Sequence, residues 1–375
     1  MSDGVLTDWG EPPWRVDFAP PPTVPPAHAE VAVVGGGFTG LSAAWHLARR
    51  GLRPVVLEAT TIGAGASGRT GGIVLEGTAA GPRDGVADCL PTLARVVAEA
   101  AIDCSLALPG CWQLAHERGA ARPAWWRDGD AMLRIAGTEA GGTVHPGRLV
   151  AGLARAAAAA GAVLCERACV ERLGVGTPVR LTVGGRALVA ERVVVALNAY
   201  TARLLAIGDD FASALTLALA TAPLEEETLA VLGLAGRMPF YTLDLPYLWG
   251  RVAPDGRLVV GAGLVFPAAG RDVTAVGIRD PEAATALARL EERVRGLHPA
   301  LARVRVTHRW GGPIAFRRGR EPILARLPHA PTIVVTGGYA GHGVALGVRI
   351  GALIADALVE GAPLPAWGAL RGGAG

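Results

Sequence analysis

The stretch Val31-Ala32-Val33-Val34-Gly35-Gly36-Gly37-Phe38-Thr39-Gly40-Leu41-Ser42-Ala43-Ala44 decides the fold. Four apolar residues without alternation read as a strand buried on both faces of a parallel sheet. Gly35-x-Gly37-x-x-Gly40 follows at once. The first glycine permits a tight turn, the second lets backbone approach a pyrophosphate, and the third lets helix pack on strand. A helical pattern runs from Leu41 to Arg50 and stops at Gly51. Pro54-Val55-Val56-Leu57-Glu58 is the next strand, ending in an acid placed to bind ribose hydroxyls. Phosphates would sit on the helix N-terminus, where free N–H groups and the dipole favour negative charge. Gly35, Gly37, Phe38, Thr39, Gly40, Glu58 and Ala59 are therefore expected to hold a dinucleotide.

Two further glycine-rich segments bear on which dinucleotide it is. Ala64-Gly65-Ala66-Ser67-Gly68-Arg69-Thr70-Gly71-Gly72 comes directly after Glu58. Gly337-Gly338-Tyr339-Ala340-Gly341-His342-Gly343 follows the apolar strand Ile333-Val334-Val335-Thr336 and precedes a long helix. A nicotinamide enzyme needs one strand-to-helix junction. FAD is longer and suits two, the second stabilising negative charge on the reduced ring. FAD is the expected cofactor; the bland reading of the last segment is a tight turn in a chain with 52 glycines.

Composition narrows the class. The 375 residues are 51% hydrophobic and 18% charged, which excludes a disordered chain. A net charge of +3 makes no case for nucleic acid. Every basic residue is Arg, and the absence of Lys excludes a pyridoxal-phosphate Schiff base and a P-loop. Five cysteines with no CxxC argue against a disulfide framework or a metal site. The start shows no signal-peptide pattern, and no apolar run is long enough to span a membrane. A cytoplasmic protein without membrane partners is expected, its oligomeric state open.

An α/β fold with a discontinuous organisation emerges from the remaining segments. Residues 10–26 are proline-rich and read as an extended arm. Helices are expected over 92–108, 148–160 and 282–296. Strands are expected over 162–170, 179–183, 187–196, 214–222, 239–252, 257–266 and 304–309. Parallel-type strands flank antiparallel ones. The reading is an arm at 1–26, a Rossmann-like FAD-binding domain from 27–88, 143–212 and 309–375, and an antiparallel-sheet substrate domain from 89–142 and 213–308.

The chain resembles the D-amino-acid oxidase / glycine oxidase superfamily of FAD-dependent oxidoreductases. It is most similar to the branch containing γ-glutamylputrescine oxidoreductases. Besides the glycine segments, the resemblance rests on Val144-His145-Pro146, Asn198-Ala199-Tyr200, and Arg251 before Asp255-Gly256-Arg257. It continues through His298-Pro299-Ala300-Leu301 and Arg309-Trp310-Gly311-Gly312-Pro313. The resemblance implies that Ser67, Gly68, Arg69, Thr70, Gly71 and Gly72 pass beside the isoalloxazine ring. It implies that Val170 touches adenine through its backbone, and that Gly338, Gly341, His342, Gly343 and Val344 face the pyrimidine edge. Departures are Thr70 for the family's usual Asn, Gly319 for Asp, Gly250 in an aromatic pair, and a shortened 111–145 region. All lie where substrate is expected.

Tyr247, Trp249 and Arg251 alternate along one expected strand and so share a face. On the flavin side, the aromatics would cage an amine and Arg251 would pair with a carboxylate; on the other side they would pack a helix. Trp310 reads as core, Arg317, Arg318 and Arg320 as a solvated run, and His342 as a backbone contact rather than a base. No catalytic side chain is assigned, since no nucleophile–base or paired-carboxylate set stands out.

The expected function is oxidation of the C–N bond of an amine or amino acid by hydride transfer to flavin N5, followed by imine hydrolysis. Oxygen or another acceptor then takes the electrons, an oxidase being favoured slightly over a dehydrogenase. The alternative is a flavin-binding subunit or pathway tailoring protein without amine turnover of its own. FAD is expected to be non-covalent, because no cysteine follows Cys169 and segment 64–72 contains no His. Acid precipitation should release the yellow colour to the supernatant; a pellet still fluorescent after washing in denaturant would show a covalent link.

Overall fold

The structure is a computed structural model that describes residues 7–117, 125–206, 211–266 and 271–370. The start of the arm, part of the shortened region at 118–124, and the last residues of the chain lie outside the described residues. The unalternated apolar runs become the middle of a sheet. β1 (His28–Val34) lies between β2 (Pro54–Leu57) and β11 (Arg186–Val195), parallel to both. β8 (Val163–Cys165) extends the sheet beyond β2, and β18 (Ala330–Gly337) beyond β11, again in parallel. β17 (Ile323–Leu327) closes one edge antiparallel. β9 (Val170–Gly174) and β10 (Val179–Val183) form a meander with the start of β11.

Both faces of this sheet are covered, which is why its strands need no polar side. α1 (Phe38–Arg49), α3 (Cys89–Glu99), α4 (Pro146–Ala159) and α7 (Ala345–Val359) contribute to the core on one face. The meander covers the other. α1 follows β1 and α7 follows β18, so both helices start outside the carboxyl ends of parallel strands, where ligands bind in such sheets.

A second sheet runs β16 (Val306–Arg317), β12 (Phe211–Pro223), β15 (Arg257–Val265), β14 (Leu248–Val252), β13 (Phe240–Thr242), β4 (Cys111–Glu117), β6 (Ala131–Glu139), β5 (Trp126–Asp128). All its pairings are antiparallel except β13 with β4. One face buries Leu114, Leu217, Leu219, Phe240 and Leu258 against α5 (Glu226–Val231) and α6 (Pro281–Gly296). The other carries Ala218, Ala220, Val259 and Trp310, with Trp14 from the arm. α2 (Ala66–Arg69) approaches that face, and β3 (Ile73–Leu75) pairs with β7 (Gly141–Thr143) beside it.

Several boundaries differ from the sequence reading. The helix expected over 92–108 is α3 and stops at Glu99, because Ala101 turns left-handed (φ 48°) and brings Ile102 back onto the helix end. The strand expected over 239–252 breaks at 243–247, where Pro246 offers no N–H to a ladder. Arg293 Nη1 and Nη2 donate to the carbonyls of Tyr247 (3.0 Å) and Pro246 (2.7 Å), and His116 meets Asp244 (2.6 Å) to hold that loop. The 162–170 segment divides into β8 and β9 around Arg167 (φ 52°). β16 runs unbroken from Val306 to Arg317, so residue 309 falls inside a strand of the second sheet. Among the described residues no helix is long and apolar enough to cross a membrane.

One buried base links this core to pH. His46 on α1 is 5% exposed, and its Nε2 has no hydrogen-bond partner. Burial, reinforced by Arg50, Arg95 and Arg49, pushes its pKa down to about 3 from 6.5. The unfolded chain takes up a proton below its ordinary pKa; the folded chain does not until near the lowered one. Stability from neutral His46 is therefore present above 6.5 and lost as pH falls toward 3. The stability difference between wild type and His46→Gln should shift against wild type by up to about 1.4 kcal/mol per pH unit below 6.5. Parallel denaturation curves from pH 7 to pH 4.5 would contradict this.

Candidate cofactor and substrate site

The N-terminus of α1 is built for an anion. Its N-cap is Gly37, which has no side chain to cap it, and its first turn holds no acid. Gly35 adopts φ 111°, open to glycine, and a side chain at Gly40 would strike the Gly35 carbonyl. A Cβ at Gly37 would stand 2.8 Å from Ser67 Oγ, in the space a pyrophosphate needs. Glu58 ends β2 beside this turn. Its Oε2 accepts from Gly36 N (2.9 Å) and its Oε1 from Thr60 N (3.0 Å). Burial raises its carboxyl above the usual carboxylate range, and these donors oppose the shift. Ala59 is exposed next to it. Arg167 and Ala168 donate backbone N–H groups to Thr60 (2.9 Å) and Glu58 (2.8 Å), which brings half-buried Val170 to the same corner.

The second glycine segment is tied to the first, since Phe38 N donates to Ser67 Oγ (3.0 Å). Three side chains from three elements then hold its backbone. Trp14 Nε1 donates to the Gly68 carbonyl (2.9 Å), Trp310 Nε1 to that of Arg69 (2.8 Å), and Arg251 Nε to that of Gly71. Trp249 occupies the place a Gly71 side chain would take, and the Arg251 guanidinium lies against Gly72 (φ 80°). The Arg69 side chain turns away to the arm, donating to the Gly10 carbonyl (2.5 Å) beside the Trp9 ring. Arg69 thus serves this segment through its main chain. Thr70 is extended between the pinned carbonyls.

The third segment closes the site. Gly338 (φ 76°) donates to Asn198 Oδ1 (3.0 Å), and a Cβ at Gly343 would stand 3.0 Å from the Tyr339 ring. At Gly341 (φ 90°) no atom lies within 4 Å of where a side chain would begin. His342 Nδ1 is buried without a partner, and burial, with Arg320 nearby, holds the imidazole below its ordinary pKa. Val344 is the N-cap of α7, with no side-chain cap and no acid in the first turn. Thr39 Oγ1 meets the Tyr339 hydroxyl (2.9 Å), which meets Thr336 Oγ1 (2.9 Å), so the first and third segments are bonded together. Two helix starts without an acid in the first turn, joined by a glycine-lined path, fit a long, twice-charged dinucleotide.

Across from them lies the second sheet. Register places Gly137, Gln113, Tyr241, Trp249, Gly261, Ala218 and Trp310 in one row over seven strands. Trp249 and Trp310 both reach the Ser67–Gly72 segment, so this face looks at it. Trp249 and Arg251 are brought there as their alternation requires. Tyr247 lies before β14 in the 243–247 loop, 41% exposed, its ring 6.4 Å from that of Tyr241. Arg251 is 1% exposed, its guanidinium 5.6 Å from the Trp14 ring, with no ion pair among the described residues. Burial lowers its pKa to about 10, so it stays charged at neutral pH. Arg317 corrects the reading of a solvated run: it is 3% exposed at the end of β16, whereas Arg318 and Arg320 are exposed.

Sequence reasoning missed Trp14, Gln113, Tyr241 and Glu139. A tryptophan in a proline-rich arm was a signal for Trp14; nothing local in the sequence marks the other three. A separate groove of about 650 Å³ between arm and α4, lined by Arg15, Arg148 and Arg155, is not part of this site. Among the described residues no cluster of His, Cys, Asp and Glu is placed to hold a metal.

Residues 30–357 match the family described as FAD dependent oxidoreductase, DAO. The chain belongs to that family and is an FAD-dependent oxidoreductase. It is 28% identical to the γ-glutamylputrescine oxidoreductase of Escherichia coli K12, over 88% of this chain and 83% of the relative. It is also 28% identical to the glycine oxidase of Geobacillus kaustophilus, over 88% of this chain and 93% of that one. The crystal structure of glycine oxidase from Geobacillus kaustophilus superimposes with a TM-score of 0.71, covering 93% of this chain and all of that one. The open form of NikD, an amino acid oxidase essential for nikkomycin biosynthesis, gives 0.68, covering 90% of this chain and 95% of that one.

Gly37→Val should abolish FAD binding, because the new side chain meets Ser67 Oγ and fills the pyrophosphate space. Flavin content per folded protein measures this; a folded variant with full yellow colour would contradict the assignment.

Proposed function

We propose that this chain oxidises the C–N bond of an amine or amino acid. The observation that carries the reading is the sheet face opposite the Ser67–Gly72 segment, where aromatic Trp249 and Tyr241 stand beside a buried, unpaired Arg251. The names of its relatives, a γ-glutamylputrescine oxidoreductase and a glycine oxidase, support it. Gly35 to Gly40 and Glu58 hold the ADP half of FAD; Ser67 to Gly72, His342 and Val344 line its ring. Bound FAD supplies a hydride acceptor, and the imine product hydrolyses in water.

The protein's own work is binding and orientation. Trp249 and Tyr241 offer ring faces and exclude water, which favours a neutral amine at the reacting carbon. Tyr247 sits at the mouth and meets substrate on entry. Arg251 is a cation removed from water, so a carboxylate reaching its terminal nitrogens is neutralised where that matters most. Neutral His342 places an imidazole nitrogen, rather than a charge, beside α7.

Anaerobic mixing with a panel of primary and secondary amines and amino acids tests the reading. Bleaching of the flavin by any of them supports it; a flavin that none reduces would leave a binding subunit. Arg251→Ala should weaken a carboxylate-bearing substrate by about 2–5 kcal/mol, far more than it weakens flavin, because Trp14 and Trp310 still hold the Ser67–Gly72 segment. An unchanged dependence of reduction rate on substrate concentration would remove Arg251 from the substrate site.

A further inference from the structure

Glu139 ends β6 on the sheet face that looks at the Ser67–Gly72 segment. It is the cross-strand partner of Cys111, two residues along from the Gly137–Gln113 pair of the row described above. Its Oε1 is buried and has no hydrogen-bond partner. Among the described residues no cation forms an ion pair with it. Arg134, on the same strand, pairs with Glu117 instead. A carboxylate oxygen shut away from water without a donor is costly, and a folded chain rarely keeps one without a use for it.

Its surroundings define that use. The Gln113 amide donates to the Tyr241 hydroxyl (3.0 Å). Burial raises both the Tyr241 and Tyr247 phenols, and Glu139 adds to each, through a hydrogen bond and its charge at Tyr241 and through its charge at Tyr247, while its Oε1 stays without a donor. A carboxylate beside two tyrosine rings fits an organic cation, which gains charge pairing and ring contact together. Arg320 also acts on Tyr247, but it is exposed and makes no ion pair with Glu139.

Position excludes a role at the reacting carbon. Glu139 is on β6, three strands from Trp249, or about 14 Å across the sheet at the usual strand spacing. A group there meets the far end of a substrate.

We propose that Glu139 determines specificity by receiving a second, non-reacting ammonium of a substrate that carries two cationic nitrogens. The proposal rests on the amine-oxidising reading above and names its substrate class. The far ammonium donates to Oε1 and lies against Tyr241 and Tyr247, while the reacting amine is left beside Trp249.

The test uses the flavin-loaded enzyme and compounds matched in length. Straight-chain α,ω-diamines are compared with the corresponding monoamines, and D- and L-lysine with D- and L-norleucine. Binding is read from perturbation of the flavin spectrum, and turnover from anaerobic reduction. The member of a pair with the extra ammonium should half-saturate at lower concentration, and Glu139→Gln should raise that concentration about ten- to a hundredfold. The limiting reduction rate and the constants for the monoamine or norleucine should stay unchanged. Thermal stability of the variant should be close to wild type, since Gln keeps the shape of the side chain and Oε1 has no donor to lose. Equal binding within each pair in wild type, or a preference that survives Glu139→Gln, overturns the proposal. If only short amino acids reduce the flavin and no diamine or lysine binds, the Glu139 assignment falls while amine oxidation stands. If nothing in the panel reduces the flavin, both fall.

Discussion

The structure depends on three hydrogen bonds to consecutive parts of one short segment. Trp14, Trp310 and Arg251 donate to the carbonyls of Gly68, Arg69 and Gly71. The donors come from the arm, from β16 and from β14. They join the glycine path beside the parallel sheet to the face of the antiparallel sheet. Each buried carbonyl left without its donor would cost about 1–3 kcal/mol, so the segment cannot slide without losing several such contacts. The arm therefore helps to hold this segment. Trp9 is buried, its carbonyl accepts from Gly311 N (2.8 Å), and Trp14 stacks edge-on to Trp310.

That constraint is reinforced by bonds between the glycine segments. Ser67 is bonded to the start of α1, and Thr39 on α1 is bonded through Tyr339 to Thr336 at the end of β18. The glycine segments are thus cross-linked by side chains of their own neighbours. Neither helix N-terminus is capped by its own N-cap side chain; Ser67 takes the first N–H of α1, and the N–H groups left over are the binding potential of the two starts. The cost of preorganisation is met by packing elsewhere, chiefly the helices over the parallel sheet.

What was legible in the sequence was local. The βαβ opening, Glu58 at the end of β2, and the second strand-to-helix junction at Gly337–Gly343 each need only a few dozen residues of context. What was not legible depends on register between distant segments. Tyr241 and Gln113 become neighbours through the parallel pairing of β13 with β4, across some 128 residues of chain. Glu139 joins them only through the pairing of β4 with β6. Trp14 lay in a proline-rich stretch, where extended chain is readable but its docking partner is not. The break in the 239–252 strand was signalled by Pro246. The alternation of Trp249 and Arg251 was sound, and Tyr247 left the pattern because it lies in the loop that Arg293 holds.

On the proposed function FAD lies between two sets of residues: the Ser67–Gly72 segment with the starts of α1 and α7, and the sheet face bearing Trp249 and Tyr241. A crystal structure of the flavin-loaded protein tests this most directly. The account predicts the pyrophosphate at Gly35–Gly40 and the ring beside Gly71 and His342. It also predicts that the Trp14, Trp310 and Arg251 bonds to the segment persist. Flavin on the far side of the second sheet, against α5 and α6, or a segment released from those three donors, would contradict it.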